Sequence, residues 1–292
     1  MADKSKDILF GTNATGSIGA EAMRITDCSL KAEHEWYEPD ASAMIGTQKP
    51  ANAGRQVVKT DVKGGVTVQP SYANADTLLG LCFDETTGTF TPADSPEGIG
   101  IDVVMSRGFD VTTYADCFLN SLEISGNPNE PVSWVMDLLG KTAADAGTVS
   151  ALTVPDVMLF SDFTFSINSN AYFPTNMVWK FDYAIDERFH NSVTRSSVMS
   201  NVPMCTLDLE FDVNSDTWAD LFNKSGTDTA IDNVVLTATD GTHTMTITMP
   251  EMTNINPSPV PDMSGVDAIK HTLNLRAWLD SEASDIVTIT YA

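Results

Sequence analysis

The chain has 292 residues, of which 16 are basic and 40 acidic, so its formal net charge at pH 7 is −24. Such an excess of carboxylates argues against a surface that binds nucleic acid or anionic membranes, because both need lysine and arginine. No stretch has the ~20 apolar residues of a membrane-spanning helix. The first 22 residues lack the basic start and apolar run of a secretory signal, and we expect an extended arm over residues 1–22.

The first predicted strand segment covers residues 25–39. Its alternate positions share one face of a strand, which would be the half-buried face. The side chains at these positions are Cys28, Leu30, Ala32, His34 and Trp36. Residues 39–60 are rich in Pro, Gly and Ala, and this composition predicts a long loop. Loops of this length are uncommon in compact domains unless they have a function.

A short helix is predicted to begin near Asn74. The side chain of Asn74 or Asp76 can accept a hydrogen bond from a free backbone N–H of the first turn. Leu78, Leu81 and Cys82 then form an apolar stripe at helical spacing. A turn-rich hairpin follows at 84–98. Strands are predicted at residues 101–105, 114–124 and 132–138, with a proline-containing turn at 127–131.

The second half of the sequence repeats two features of the first half. Residues 160–174 align without a gap with residues 25–39, sharing an Asp, a Tyr and a Pro and the same alternation. Residues 214–221 repeat the Asn, Asp, Thr and Leu of residues 74–81 at identical spacing. Two amphipathic strands can look alike without common origin, but the helix echo favours a duplication. We therefore predict two tandem β-sandwich or split-barrel domains with one short helix each: 23–140 and 159–292, joined by a linker at 141–158.

The second copy is predicted to contain a long loop at 176–200 and a regular strand at 205–213. On this strand Thr206, Asp208, Glu210 and Asp212 alternate with apolar residues and therefore face outward. A hairpin is predicted around the Asp-Gly turn at 240–241. Final strands are predicted at 273–279 and 285–291.

No arrangement of residues points to catalysis. The four histidines show no metal-ligand spacing, the four cysteines form no CxxC pair, and no GxSxG motif is present. Asp208, Glu210 and Asp212 could form a cation site or an acid pair, but a solvated or lumen-facing strand face is the favoured interpretation. We predict a protein that is not an enzyme and that uses no cofactor or metal.

The order of these elements resembles the major tail tube proteins of long-tailed, siphovirus-like bacteriophages, in the form that fuses two tube domains. In each half a strand pair leads into a long loop, a strand then runs into a short helix, and a hairpin with an Asn/Pro turn closes the domain. The resemblance covers residues 20–292. It implies a late structural protein that is made in the host cytoplasm and located in the virion tail.

The resemblance also implies partners and surfaces. Three chains would form a homotrimeric, pseudo-hexameric ring, and rings would stack head to tail into a tube through which DNA passes without specific binding. Tape measure, tail terminator and distal tail proteins would be partners. We expect Asp208, Glu210 and Asp212 to face the lumen, where carboxylates would repel phosphates. We expect loop residues to contact the next ring, with these candidates: Met44, Ile45, Lys180 and Arg188.

Two alternatives remain open at this stage. One is another member of the same superfamily, such as a distal-tail or baseplate ring or the tube protein of type VI secretion. The other belongs to a different class: an acidic β-sandwich module that binds carbohydrate or another ligand. An exposed row of aromatic residues on one sheet would favour the binding module, and a polymer of open length would favour the tube.

Overall fold

The computed structural model describes residues 15–18, 21–37, 56–93, 100–106, 111–145, 156–212, 230–255, 270–279 and 285–292. Within these ranges the chain is mainly β, with antiparallel pairing between its strands and a single short α-helix. This confirms the predicted fold class.

The first half of the chain contains the helix α1, Ala75–Cys82, and a set of strands. They are β1 Thr15–Ile18, β2 Glu21–Met23, β3 Ile25–Cys28, β4 Lys31–Tyr37, β5 Gln56–Val68, β6 Asp84–Thr86, β7 Thr89–Thr91, β8 Ile101–Ser106, β9 Val111–Gly126, β10 Ser133–Gly140 and β11 Thr142–Ala144. The strands of the second half are β12 Phe163–Ile167, β13 Asn170–Tyr172, β14 Asn176–Asp182, β15 Ile185–Arg188, β16 Ser197–Ser200, β17 Met204–Asp212, β18 Ala230–Thr239, β19 Thr244–Asn254, β20 Lys270–Trp278 and β21 Thr288–Tyr291.

One sheet runs through both halves of the chain. Its central strands lie in the order β5, β10, β9, β14, β17, β20 and β19. β3 and β4 pair with the outer edge of β5. The alternation of side chains buries one face of this sheet, where Trp134, Met136 and Leu138 of β10 have no exposed surface. The opposite face carries the polar side chains of the same strands.

The helix lies against the buried face and contacts β9. Leu78, Leu81 and Cys82 are buried, as the apolar stripe predicts. Asn74 is the N-cap residue, and its Oδ1 accepts a hydrogen bond from the backbone N of Ser71 at 2.9 Å. The corresponding helix predicted at 214–221 lies outside the described residues.

The two halves share one strand order. In the first half the order is β3–β4, β5, β10, β9, β8, and in the second it is β14, β17, β20, β19, β18. Each half has an equivalent hydrogen bond from a threonine side chain of its first strand to the backbone of the next strand in the sheet. Thr26 Oγ1 donates to Thr67 O at 3.4 Å, and Thr175 Oγ1 donates to Glu210 O at 3.2 Å. The position of Thr67 in β5 therefore corresponds to that of Glu210 in β17. The division into two independent domains remains a prediction.

The strand that corresponds to β3–β4 is β14, so the predicted alignment of residues 25–39 with residues 160–174 is wrong. Residues 163–172 instead form β12 and β13, which pair with each other and with β18. The predicted half-buried face is also incomplete, because His34 is exposed and Trp36 is 47% exposed.

The predicted loop at 176–200 is wrong as well. β14 occupies its first seven residues, and β15 and β16 form a hairpin in the remainder. Met177, Trp179, Phe181 and Tyr183 alternate and are fully buried, which is the pattern of a core strand. The strand predicted at 273–279 ends one residue earlier, because Leu279 lies past the end of β20 and is 56% exposed.

Part of the predicted arm is a strand. β1 pairs with β2 and also with β8, so residues 15–18 belong to the folded sheet. Residues 1–14 lie outside the described residues.

Candidate assembly surfaces

The two halves are joined by direct pairing of β9 with β14. Ile124 lies opposite Trp179 and Leu122 lies opposite Phe181. All four side chains are buried, and the rings of Trp179 and Phe181 stack at 6.4 Å with an interplanar angle of 17°. The junction therefore combines main-chain hydrogen bonds with an apolar core, and it makes one continuous sheet out of two similar ones.

The β15–β16 hairpin of the second half reaches back onto the first half. Tyr183 lies between β14 and this hairpin, and its buried hydroxyl donates to Cys82 O at 2.7 Å and accepts from Ala93 N at 2.9 Å. Burial raises the pKa of this phenol, so the hydroxyl keeps its proton. At the tip of the hairpin, the backbone N of Thr60 in β5 donates to Val193 O at 2.7 Å. The hairpin thus passes Asn120 of β9 and Gly140 at the end of β10, and it reaches β5.

Arg195 fixes the tip of this hairpin from within. Its side chain is 2% exposed, and Nη1 donates to Gly140 O at 2.5 Å. Nη2 lies 3.2 Å from Asp61 Oδ1 and 3.1 Å from Glu187 Oε1. Two carboxylates from different halves therefore share one buried guanidinium, which is the side chain best suited to such a bridge.

The two carboxylates respond differently to this environment. Burial raises the pKa of Glu187 and outweighs the attraction of Arg195. Burial acts on Asp61 in the same direction, but the hydrogen bond from Lys63 and the charges of Lys59, Lys63 and Arg195 outweigh it, so the pKa of Asp61 is lowered. The ionised form of Asp61 is thus stabilised by its surroundings. For Glu187, the positive charge of Arg195 offsets part of the cost of burying the carboxylate.

The predicted acidic residues lie on the polar face of the central sheet. Asp208 and Glu210 of β17 are half-buried, and Asp212 is exposed. Asn274 Nδ2 donates to Asp208 Oδ1 at 2.7 Å, and Lys270 Nζ donates to Glu210 Oε1 at 2.6 Å. The hydrogen bond from Lys270 lowers the pKa of Glu210. Each of these two carboxylates has a hydrogen-bond partner on the neighbouring strand β20.

The four loop candidates have different locations. Lys180 lies in β14, opposite Glu123 of β9 and Thr206 of β17, on the same polar face as Asp208. Arg188 is an exposed residue of β15, and its Nη2 lies 3.0 Å from Met199 Sδ. Met44 and Ile45 lie outside the described residues. The contact of these residues with a next ring stays a prediction.

Sequence reasoning missed Tyr183 and Arg195. The alternation of apolar residues from Met177 to Tyr183 could have revealed the strand and its buried tyrosine. Nothing local in the sequence distinguishes Arg195, because its partners Asp61 and Gly140 are remote in the chain. In the part of the chain that the structure describes, no three His, Cys, Asp or Glu side chains are arranged to hold a metal ion. None of the described helices has the length and apolar character needed to cross a membrane.

The outer edge of β3–β4 corresponds to the edge of β14 that forms the junction. Among the described residues these two strands pair with β5 alone. A sheet that is continuous across two similar halves, and that presents one further edge of the same kind, is typical of proteins that assemble through strand edges.

Comparison with known proteins agrees with this class. A family model described as phage tail tube protein matches residues 37–277, which is more than half of the chain. The chain therefore belongs to the phage tail tube protein family, and it is a structural protein of the virion tail. No curated protein matches the chain in a direct search.

Proposed function

We propose that three chains close into a ring of six similar halves, and that these rings stack head to tail into the tube through which phage DNA leaves the virion. The observation that carries the proposal is the β9–β14 junction, which already joins two similar halves edge to edge within one chain. The same junction between chains would bring the β3–β4 edge of one copy to the second half of the next. Closure of the ring would leave no strand edge open to aggregation.

The polar face of the central sheet would line the channel. The opposite face cannot do so, because it is buried beneath the helix and the core. Asp208 and Glu210 would then contribute negative potential at the wall, within the ~8 Å Debye length at physiological salt. Tape measure, terminator and distal tail proteins would meet the ends or the interior of such a tube.

The test is a concentration series of the purified protein, followed by light scattering and negative-stain electron microscopy. We expect a mass of three 31.5 kDa chains, and six-lobed rings or tubes with a central hole. The same images decide between a tube and a distal-tail or baseplate ring, since a ring protein stops at a defined assembly. A monomer at every concentration, or a ring with another number of chains, would contradict the proposal.

A further inference from the structure

An apolar groove of about 480 Å³ lies at the end of the second half of the sheet. Its lining is mainly apolar, with Val202, Pro203, Ala277, Trp278, Leu279 and Ile286, and it also contains Asn201, Arg276 and Asp285. Val202 is 83% exposed, Leu279 is 56% exposed and Trp278 is 45% exposed. Such a cluster of large apolar side chains in water marks a surface that another segment covers.

The internal repeat shows which surface of the first half corresponds to this groove. Thr67 in β5 corresponds to Glu210 in β17. Counting the same number of residues back from both positions pairs Lys59 with Val202 and Thr60 with Pro203. In agreement, Lys63 pairs with Leu139 of β10, and its counterpart Thr206 pairs with Arg276 of β20. The groove is therefore the second-half counterpart of the surface around Lys59, Thr60 and the end of β10.

In the first half that surface is already covered. The tip of the β15–β16 hairpin lies on it: Phe189 lies 4.3 Å from Lys59 Nζ, Val193 O accepts from Thr60 N, and Arg195 donates to Gly140 O. This hairpin connects β14 to β17. Its first-half counterpart is the connection from β4 to β5, whose residues 38–55 lie outside the described residues.

The direction of the hairpin identifies which copy supplies the cover. From β14 the hairpin passes β9 and β10 and reaches β5, so it extends toward the preceding half of the sheet. The same direction from β4 leads away from the second half of its own chain. In the ring proposed above, on which this inference rests, the preceding half belongs to a neighbouring copy.

We infer that residues 38–55 of one copy bind in the apolar groove of the neighbouring copy. The chemistry of the two sides agrees with this assignment. Met44 and Ile45 are the large apolar side chains of the segment, and they suit a groove lined by Val202, Trp278 and Leu279. Where the first half places Asp61 beside Arg195, the second half has Met204, so the carboxylate that binds the arginine has no equivalent at this position.

Cysteine cross-linking between copies tests the inference. Two single variants, Ile45→Cys and Val202→Cys, are mixed before assembly and treated with a short bismaleimide. A covalent dimer can then form only between chains. The matched control replaces Val202→Cys with Phe173→Cys, whose parent side chain is 87% exposed and lies outside the groove. Each single variant alone measures the background from Cys28, since the other native cysteines are buried.

We expect at least tenfold more covalent dimer from the groove mixture than from the control mixture, and a closed covalent trimer from the double variant Ile45→Cys/Val202→Cys. Equal yields from the two mixtures, while light scattering shows trimers, would overturn the groove assignment and leave the ring intact. A cross-link confined to single chains of the double variant would do the same. A wild-type protein that stays monomeric would overturn both proposals.

Discussion

Replacing Arg195 tests its buried ion pairs with Asp61 of the first half of the chain and with Glu187 of the β15–β16 hairpin. In Arg195→Met the stem of the side chain is kept, but the buried guanidinium is lost. Glu187 then loses the cation 3.1 Å away, and Gly140 O loses its donor. Removing one member of a buried ion pair costs ~3–5 kcal/mol. Asp61 keeps Lys63 at 3.1 Å and Lys59 at 3.5 Å, so we expect the lower end, ~3 kcal/mol.

The assay is denaturant unfolding at pH 7, with thermal unfolding as a second measurement. A loss of ~3 kcal/mol corresponds to a fall in Tm of about 6–12 °C for a protein of this size. Arg188→Met is the matched control, because Arg188 is an exposed arginine of the same hairpin, and we expect a change within ~0.5 kcal/mol. Equal effects of the two substitutions would refute the reasoning.

The pH dependence of this variant has a definite sign. A carboxyl group whose pKa is raised on folding binds more protons in the folded state, so its contribution to stability falls as pH rises above the unfolded value. Burial already raises the pKa of Glu187, and the loss of Arg195 would raise it further. The destabilisation of Arg195→Met should therefore shrink as pH falls from 7 toward 5. A second substitution, Glu187→Gln, should recover part of the loss at pH 7.

Two further substitutions test other contacts. Tyr183→Phe leaves Cys82 O and Ala93 N without their partner, and we expect denaturant unfolding to show a loss of ~1–3 kcal/mol in the free energy of unfolding. The control is Tyr37→Phe, at an exposed position, which should change stability little. Equal effects of the two substitutions would contradict the role of the Tyr183 hydroxyl. The pair Asp208→Lys and Glu210→Lys would reverse charge on the proposed channel wall, and we expect assembled tubes to retain short DNA in a salt-dependent manner. Asp84→Lys with Glu85→Lys, in the exposed strand β6, is the control, and equal retention by both variants would remove the lumen assignment.

The sequence predicted best where a local pattern determines structure. The strand at β17 and the hairpin at 240–241 depend on alternation and on an Asp-Gly turn, and both form as predicted. In α1 the N-cap residue Asn74 makes no side-chain bond to the helix. The helix depends instead on an apolar stripe and on its first turn, where Asp76 Oδ1 accepts a hydrogen bond from Thr77 N at 2.7 Å, and both features are also local. Such features need no knowledge of the partner strand.

Pairing between remote segments was predicted least well. The alignment of residues 25–39 with residues 160–174 matched alternation and three identities, but alternation is common to all half-buried strands. The true counterpart of β3–β4 is β14. In the structure Thr26 occupies the position equivalent to Thr175, and Lys31 the position equivalent to Lys180. The two segments align without a gap but share few identical residues, so sequence identity gives little signal for this match. Strand order revealed the repeat where sequence identity did not.

The two hairpin contacts differ in a way that follows from their connections. The contact within the chain uses a buried arginine and two carboxylates, which are costly to desolvate and strict in geometry. Covalent linkage holds this hairpin near its site, so the contact needs no net association energy of its own. The proposed contact between copies must bring separate molecules together, and burial of apolar area supplies that free energy without a strict geometry. An apolar contact between copies and an ionic contact within the chain agree with the presence of Met204 at the position that corresponds to Asp61.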